Sequence, residues 1–174
     1  MNLLQRLTDG RSSAIKTVDE LVKRLVEENW ESAKFLMDKK SCRPLLRWDG
    51  LKKRRLMFAV EVAFTVEHSS GEQMQVRYNR GFGYLESENA YAIVHNLTDM
   101  NSEEWGGLFY AQSILAFYEF VNQVMSKKAQ ALQAYVFIAR EHVLNAAEKI
   151  SDAKRICQQC QDRGFYIPLN QPFS

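Results

Sequence analysis

Residues 56–67 constrain this chain more than any other stretch. Phe58, Val60, Val62, Phe64 and Val66 are apolar at every second position, with Glu61, Thr65 and Glu67 between them. A period of two lets a strand bury one face and wet the other. Ser69-Ser70-Gly71 supplies a turn, after which Met74, Val76 and Tyr78 alternate with Gln73, Gln75, Arg77 and Asn79. Two such runs joined so closely must pair antiparallel, so the sequence predicts a β-hairpin. Residues 80–85 are compatible with a continuing strand, and 91–97 read equally as strand or helical turn, which bounds an antiparallel sheet within 56–97.

The flanking segments follow a different period. Thr17-Val18-Asp19-Glu20 is a capping box, and Val18, Leu21, Val22, Leu25, Val26, Ala33 and Leu36 recur at three- and four-residue spacing. That spacing predicts an amphipathic helix over 17–38. Between residues 39 and 55 the periodicity fails around Pro44 and Asp49-Gly50, which predicts a loop with at most a short strand.

Asn101-Ser102-Glu103-Glu104 caps a segment whose apolar residues, from Trp105 to Met125, cover more than one helical face, as in a helix buried on several sides. Leu132, Val136, Ala139, Val143, Ala146, Ile150, Ala153, Cys157 and Cys160 then alternate spacings of four and three, which predicts a helix over 129–163 carrying a heptad seam. Its partner is either helix 103–127, folded back as a helical hairpin over 103–163, or a second copy of the chain. Arg163-Gly164 is a helix stop, and residues 165–174 read as an extended tail with aromatic anchors.

At 174 residues and 46% apolar, the chain can bury one good core but not comfortably two, so we expect a single domain over 1–174. Strands segregated from helices indicate the α+β class: an N-terminal helix, a small antiparallel β-sheet and a C-terminal antiparallel pair of long helices. The start shows no signal-peptide pattern and no stretch is long enough for a spanning helix, so a cytoplasmic location is expected. Three cysteines, an odd count, then read as thiols.

Net charge is only +2, but residues 1–87 hold 16 Lys/Arg against 12 Asp/Glu, and residues 88–174 hold 7 against 9. The basic excess concentrates in 39–55, where Lys39, Lys40, Arg43, Arg47, Lys52, Lys53, Arg54 and Arg55 face a single acid, Asp49. Such a run can track a phosphate backbone. Trp48 adds a stacking surface, and Arg77 and Arg80 extend the positive strip if they point the same way. The alternative is a solvated loop whose cations pair with acids elsewhere, such as the Glu27-Glu28-Glu31 group.

Arg80-Gly81-Phe82-Gly83-Tyr84-Leu85-Glu86-Ser87 resembles the octamer of the RNA-recognition motif family at seven of eight positions. In that family the aromatics stack bases on an open sheet face. The family also requires a strand, a helix and a strand before the octamer, whereas here a direct hairpin precedes it, so the chain is not assigned to the family. Glycines beside Phe82 and Tyr84 would still let a flat ligand or a phosphate approach the backbone, or else mark a twisted strand end with both rings in the core.

Other chemical patterns are sparse. Cys157-Gln158-Gln159-Cys160 has CxxC spacing but sits late in a helix, where the dipole does not favour a thiolate. Cys42, His68, His95 and His142 supply no second ligand pair for zinc. Gly-x-Ser-x-Gly, P-loop and His-Glu-x-x-His patterns are absent, so no catalytic residue, metal or cofactor is expected. An enzyme with dispersed residues would have to bring His95, His142, Glu and Arg together. The expected function is a small accessory or regulatory protein that binds nucleic acid through the basic segment and the hairpin without catalysis. The competing expectation is an interaction or assembly module using the seam of 129–163, with no membrane partner in either case.

Overall fold

A computed structural model describes residues 14–49, 55–86, 103–132, 137–138 and 146–169. It is α+β: α1 (Val18–Glu27), β1 (Lys34–Asp49), β2 (Arg55–Glu67), β3 (Gln73–Glu86), α2 (Glu103–Leu132), β4 (Phe137–Ile138), α3 (Ala146–Asp162) and β5 (Ile167–Pro168). The strands form one sheet in the order β4-β1-β2-β3-β5. Short edge strands flank the central three: β4 is parallel to β1 at Lys34 and Phe35, and β5 antiparallel to β3 at Gly83 and Tyr84. No helix among the described residues is long and apolar enough to cross a membrane.

The expected hairpin is present. Its turn closes through Gly71 N donating to His68 O at 2.9 Å and His68 N to Glu72 O at 2.9 Å. β2 buries its even positions from Leu56 to Val66, and β3 buries Met74, Val76 and Phe82.

Three expectations need correction. The first helix stops at Glu27, well short of residue 38. Asn29 takes φ +56°, Trp30 N donates to Leu25 O and Asn29 N to Val26 O, and this pair of bonds ends a helix by satisfying its last carbonyls. Beyond it Ala33 and Phe35 are buried at period two, a strand pattern that the wider helical spacing overlaps. Second, 39–55 is not a loop, since β1 runs through Asp49 and Arg55 opens β2. Pro44 is tolerated because among the described residues β1 has β2 as its neighbour there, and β4 reaches only Lys34 and Phe35.

Third, 129–163 is not one helix. α2 extends to Leu132, Phe137–Ile138 pairs with β1, and α3 begins at Ala146. The run Val136-Phe137-Ile138 is rich in strand formers, and the ladder on β1 outweighs the heptad spacing. Ile167–Pro168 of the tail joins the sheet as a short strand. The expected elements at 50–54, 87–102 and 170–174 lie outside the described residues.

Contacts divide the chain into two compact units, each discontinuous in sequence. The first draws on 14–41, 62–78 and 117–138. Thr17 caps α1 by accepting from Glu20 N at 3.1 Å, and Glu20 Oε2 accepts from Lys16 N at 3.3 Å, so the return bond of the capping box falls one residue before the cap. Leu21 and Leu25 are fully buried. Phe64 meets Phe117 and Phe120 edge to face, each at 5.2 Å between centroids. Ile15 bridges β3: Ile15 N donates to Gln75 O at 2.9 Å and Arg77 N to Ile15 O at 2.8 Å.

The second unit draws on 42–61, 79–116 and 146–169. Phe58 contacts Phe82, Trp105 and Phe109, and Phe82 stands edge-on to Tyr166 at 5.5 Å. α3 ends on Gly164 at φ +77°, with Phe165 N donating to Cys160 O and Gly164 N to Gln161 O. This stop turns the chain so that Tyr166 to Leu169 lies along β3, where Leu169 N donates to Phe82 O at 3.2 Å.

Candidate functional site

In the first unit, β1 loses its alternation where the basic run begins. Leu36 and Met37 are half-buried, and Asp38, Lys39 and Lys40 are all exposed. Asp38 Oδ1 accepts from Lys40 N at 3.3 Å, a short-range side-chain bond that competes with regular strand pairing. A depression of about 370 Å³ is lined by Leu36, Met37, Asp38 and Ser41 of β1, Ala63, Phe64 and Thr65 of β2, and Gln75 of β3. Ala63 contributes to it by being small in the middle strand.

The lining is chemically mixed. Thr65 Oγ1 donates to Gln75 Oε1 at 3.2 Å, which commits the amide oxygen and directs hydrogen-bonding capacity to Nε2. Asp38, Ser41 and Thr65 add further polar atoms, and Leu36 and Met37 add apolar surface. Lys39 and Lys40 sit between the two polar β1 residues of the lining. Arg77 follows Gln75 by two residues, hence on the same face of β3, and is exposed. The two bonds to Ile15 fix the backbone at Gln75 and Arg77.

The other sequence-designated residues fall elsewhere. In the second unit, Arg43 makes a two-pronged ion pair with Glu61, Nε to Oε1 at 2.9 Å and Nη2 to Oε2 at 3.3 Å. Glu61 is buried, and Arg43 is its counter-charge. Arg47 is exposed and Trp48 half-buried. The Arg55 guanidinium lies 3.7 Å over the Tyr84 ring, an internal cation–π contact. Arg80 is half-buried and close enough to Cys157 to favour its thiolate slightly. Lys52, Lys53 and Arg54 lie outside the described residues. Thus Lys39, Lys40 and Arg77 lie close in sequence to residues that line the depression, and Arg43 and Arg55 make contacts within the second unit.

No family model, no curated protein and no solved structure matches this chain.

Gly83 in the octamer-like segment serves packing. A Cβ at Gly83 would lie 2.5 Å from Tyr166 Cδ2 and 2.6 Å from Ile167 O, so the close approach is made by the protein's own C-terminal segment. Phe82 is buried and Tyr84 half-buried.

Cys157 and Cys160 are buried and, like Cys42, not disulfide-bonded. Gln112 Nε2 donates to Cys157 Sγ at 3.2 Å and Tyr166 Oη to Cys157 O at 3.2 Å. Burial, reinforced by Cys160, pushes the Cys157 thiol up to about 11, and burial followed by Cys157 raises Tyr166. A thiol held protonated is a poor nucleophile and metal ligand. Among the described residues no group of three or more His, Cys, Asp or Glu could hold a metal. Ala153, Cys157 and Cys160, the last stretch of the supposed seam, are buried within the chain itself; His95 and His142 lie outside the described residues.

Sequence inspection missed the depression. Its lining residues are scattered over three strands, and only the small Ala63 between Glu61 and Thr65 on the polar side of β2 hinted at it.

Proposed function

We propose that this chain is a small accessory or regulatory protein that binds nucleic acid without catalysis, chiefly through phosphate contacts from the basic side chains of β1 and β3. The observation that carries the proposal is the exposure of Lys39, Lys40 and Arg77 beside the depression of the first unit. Exposed cations close in sequence to residues of a concavity with polar and apolar walls suit a polyanion whose repeating charges are joined by flat, mixed-polarity groups. Arg47 and the run 52–54 are further candidates for contact, while Arg43 and Arg55 are assigned to holding their own unit.

The test is fluorescence anisotropy of labelled oligonucleotides titrated with the protein from about 50 to 200 mM salt. Wild type binds, and affinity falls as salt rises. A Lys39→Ala/Lys40→Ala/Arg77→Ala variant loses three phosphate contacts, so on a single strand its log–log salt slope becomes shallower by about 2. Across that fourfold salt change this corresponds to about a twentyfold difference in salt sensitivity. Failure of wild type to bind at the lowest salt, or an unchanged slope in a folded triple variant, refutes the proposal.

A further inference from the structure

We propose that β1 is a guarded sheet edge, whose charges and proline keep it from pairing with a β-strand of another copy of the chain. The proposal stands apart from the nucleic-acid reading and gives the basic run of β1 a second role.

The hazard is the strand itself. β1 runs for 16 residues, Lys34–Asp49, longer than the roughly 3–10 residues usual for a strand. Among the described residues its outer neighbour, β4, pairs with Lys34 and Phe35, so the edge from Leu36 onward meets no described strand. No residue from 36 to 48 is buried, and Leu46 is 36% exposed. Leu36, Met37, Leu45, Leu46 and Trp48 give this long edge apolar content, the kind that templates a strand from another molecule.

The guards interrupt it at short intervals. Asp38, Lys39 and Lys40 are followed by Arg43 and Pro44, then by Arg47 and Asp49, so no more than two consecutive residues from 38 to 49 lack one. Aggregation-prone windows span about five to seven residues. Pro44 has no N–H to offer, and a proline within a strand is confined to edges and bulges. Asp38 Oδ1 accepts from Lys40 N at 3.3 Å, which engages one more backbone donor within the strand itself. Lys39, Lys40, Arg43 and Arg47 are exposed, and an incoming strand would cover each of them whether or not it also has a partner within the chain. If two copies paired antiparallel about Arg43, that residue would face its own equivalent and Lys39 would face Arg47 of the other copy. Like charges directly opposite are destabilising.

The test follows sedimentation velocity and the infrared band of intermolecular β-sheet over a concentration series, at moderate salt and without nucleic acid. Wild type stays dispersed. Lys39→Thr/Lys40→Thr/Pro44→Thr restores a donor and removes two charges, and its self-association rises by roughly tenfold, the scale of one backbone hydrogen bond plus the relief of like-charge contacts. Should the triple variant not fold by far-UV circular dichroism, Pro44→Thr alone carries the test, with a smaller rise in the same band. Lys23→Thr/Lys154→Thr takes two exposed lysines from α1 and α3 and leaves association unchanged, which separates edge protection from loss of net charge. Folded edge variants as dispersed as wild type overturn the proposal. So does equal association of the Lys23→Thr/Lys154→Thr control, or a wild type that already shows the intermolecular band. None of these outcomes bears on phosphate binding, since no nucleic acid is present.

Discussion

Replacing Gly83 by alanine should destabilise the protein, although the intrinsic preference points the other way. Glycine inside a strand is worth about 0.5–1 kcal/mol less than alanine because it loses more backbone freedom on folding. At Gly83 the added methyl would meet Tyr166 Cδ2 at 2.5 Å and Ile167 O at 2.6 Å. Neither neighbour can easily yield: Ile167 is paired with Tyr84 in the β3–β5 ladder, and Tyr166 is held by Phe82 and by its bond to Cys157 O.

Overpacking of this kind costs about 1–3 kcal/mol, so we expect a net loss of about 1–2 kcal/mol after the intrinsic gain. For a chain of this length each kcal/mol moves the melting midpoint by roughly 2–4 °C. Urea and thermal unfolding of Gly83→Ala measure the loss. Gly107→Ala on α2 is the control, because a Cβ there meets nothing within 4 Å, and it should stabilise by up to about 1 kcal/mol. A Gly83→Ala/Tyr166→Ala pair should be less harmful than the sum of its parts, since the ring that clashes is gone. If Gly83→Ala raises the midpoint as Gly107→Ala does, the C-terminal segment does not dock on β3 as described.

Thr17→Ala should cost about 1 kcal/mol by removing the acceptor for Glu20 N, read as a lowered urea midpoint; an unchanged midpoint would deny that this cap holds α1. Arg43→Ala should cost about 1–3 kcal/mol because it takes the counter-charge from a buried carboxylate, whereas Arg47→Ala at an exposed position should stay within about 0.5 kcal/mol; equal effects would refute the assignment of Arg43 to its own unit. Cys157 keeps its proton to about 11 in the fold against an ordinary 9.0, so from pH 9 upward the unfolded chain releases a proton that the folded one retains. Its contribution is therefore whole below pH 9 and is lost towards pH 11, at up to about 1.4 kcal/mol per pH unit. Urea midpoints should fall more steeply over that window in wild type than in Cys157→Ala, and parallel curves would contradict the buried thiol.

Local signals with a single physical meaning were legible. The capping box at Thr17, the alternation from Leu56 to Val66 and the helix stop at Gly164 each correspond to bonds in the structure, because backbone groups at a helix end or a strand face have few other solutions. Patterns with two meanings were not. Ala33 and Leu36 fit a helical period only because a strand's period of two periodically coincides with it, and the residue that decides between them is Asn29, whose left-handed conformation leaves little trace in spacing. The heptads of 129–163 mislead for a related reason. Small and branched apolar residues at three- and four-residue intervals suit a seam, but Phe137 and Ile138 are also good strand formers, and pairing with Lys34 and Phe35 is a non-local outcome that no local window contains.

The candidate site shows the same division between charge and shape. A cluster of cations in sequence is visible without a fold, but whether each cation is available depends on what the fold places against it. Arg43 faces Glu61 from eighteen positions away, and Arg55 covers the ring of Tyr84. Neither partner can be chosen from the sequence, since Glu61 occupies one of several polar positions on β2 and Tyr84 sits among equivalent aromatics. Lys39 and Lys40 instead follow a local irregularity, the Asp38 side chain bonding to Lys40 N, and Asp is a residue known to make such bonds with the backbone two positions on. Asp38 ahead of a lysine pair is thus a sequence sign of the side-chain bond to Lys40 N that interrupts this part of β1.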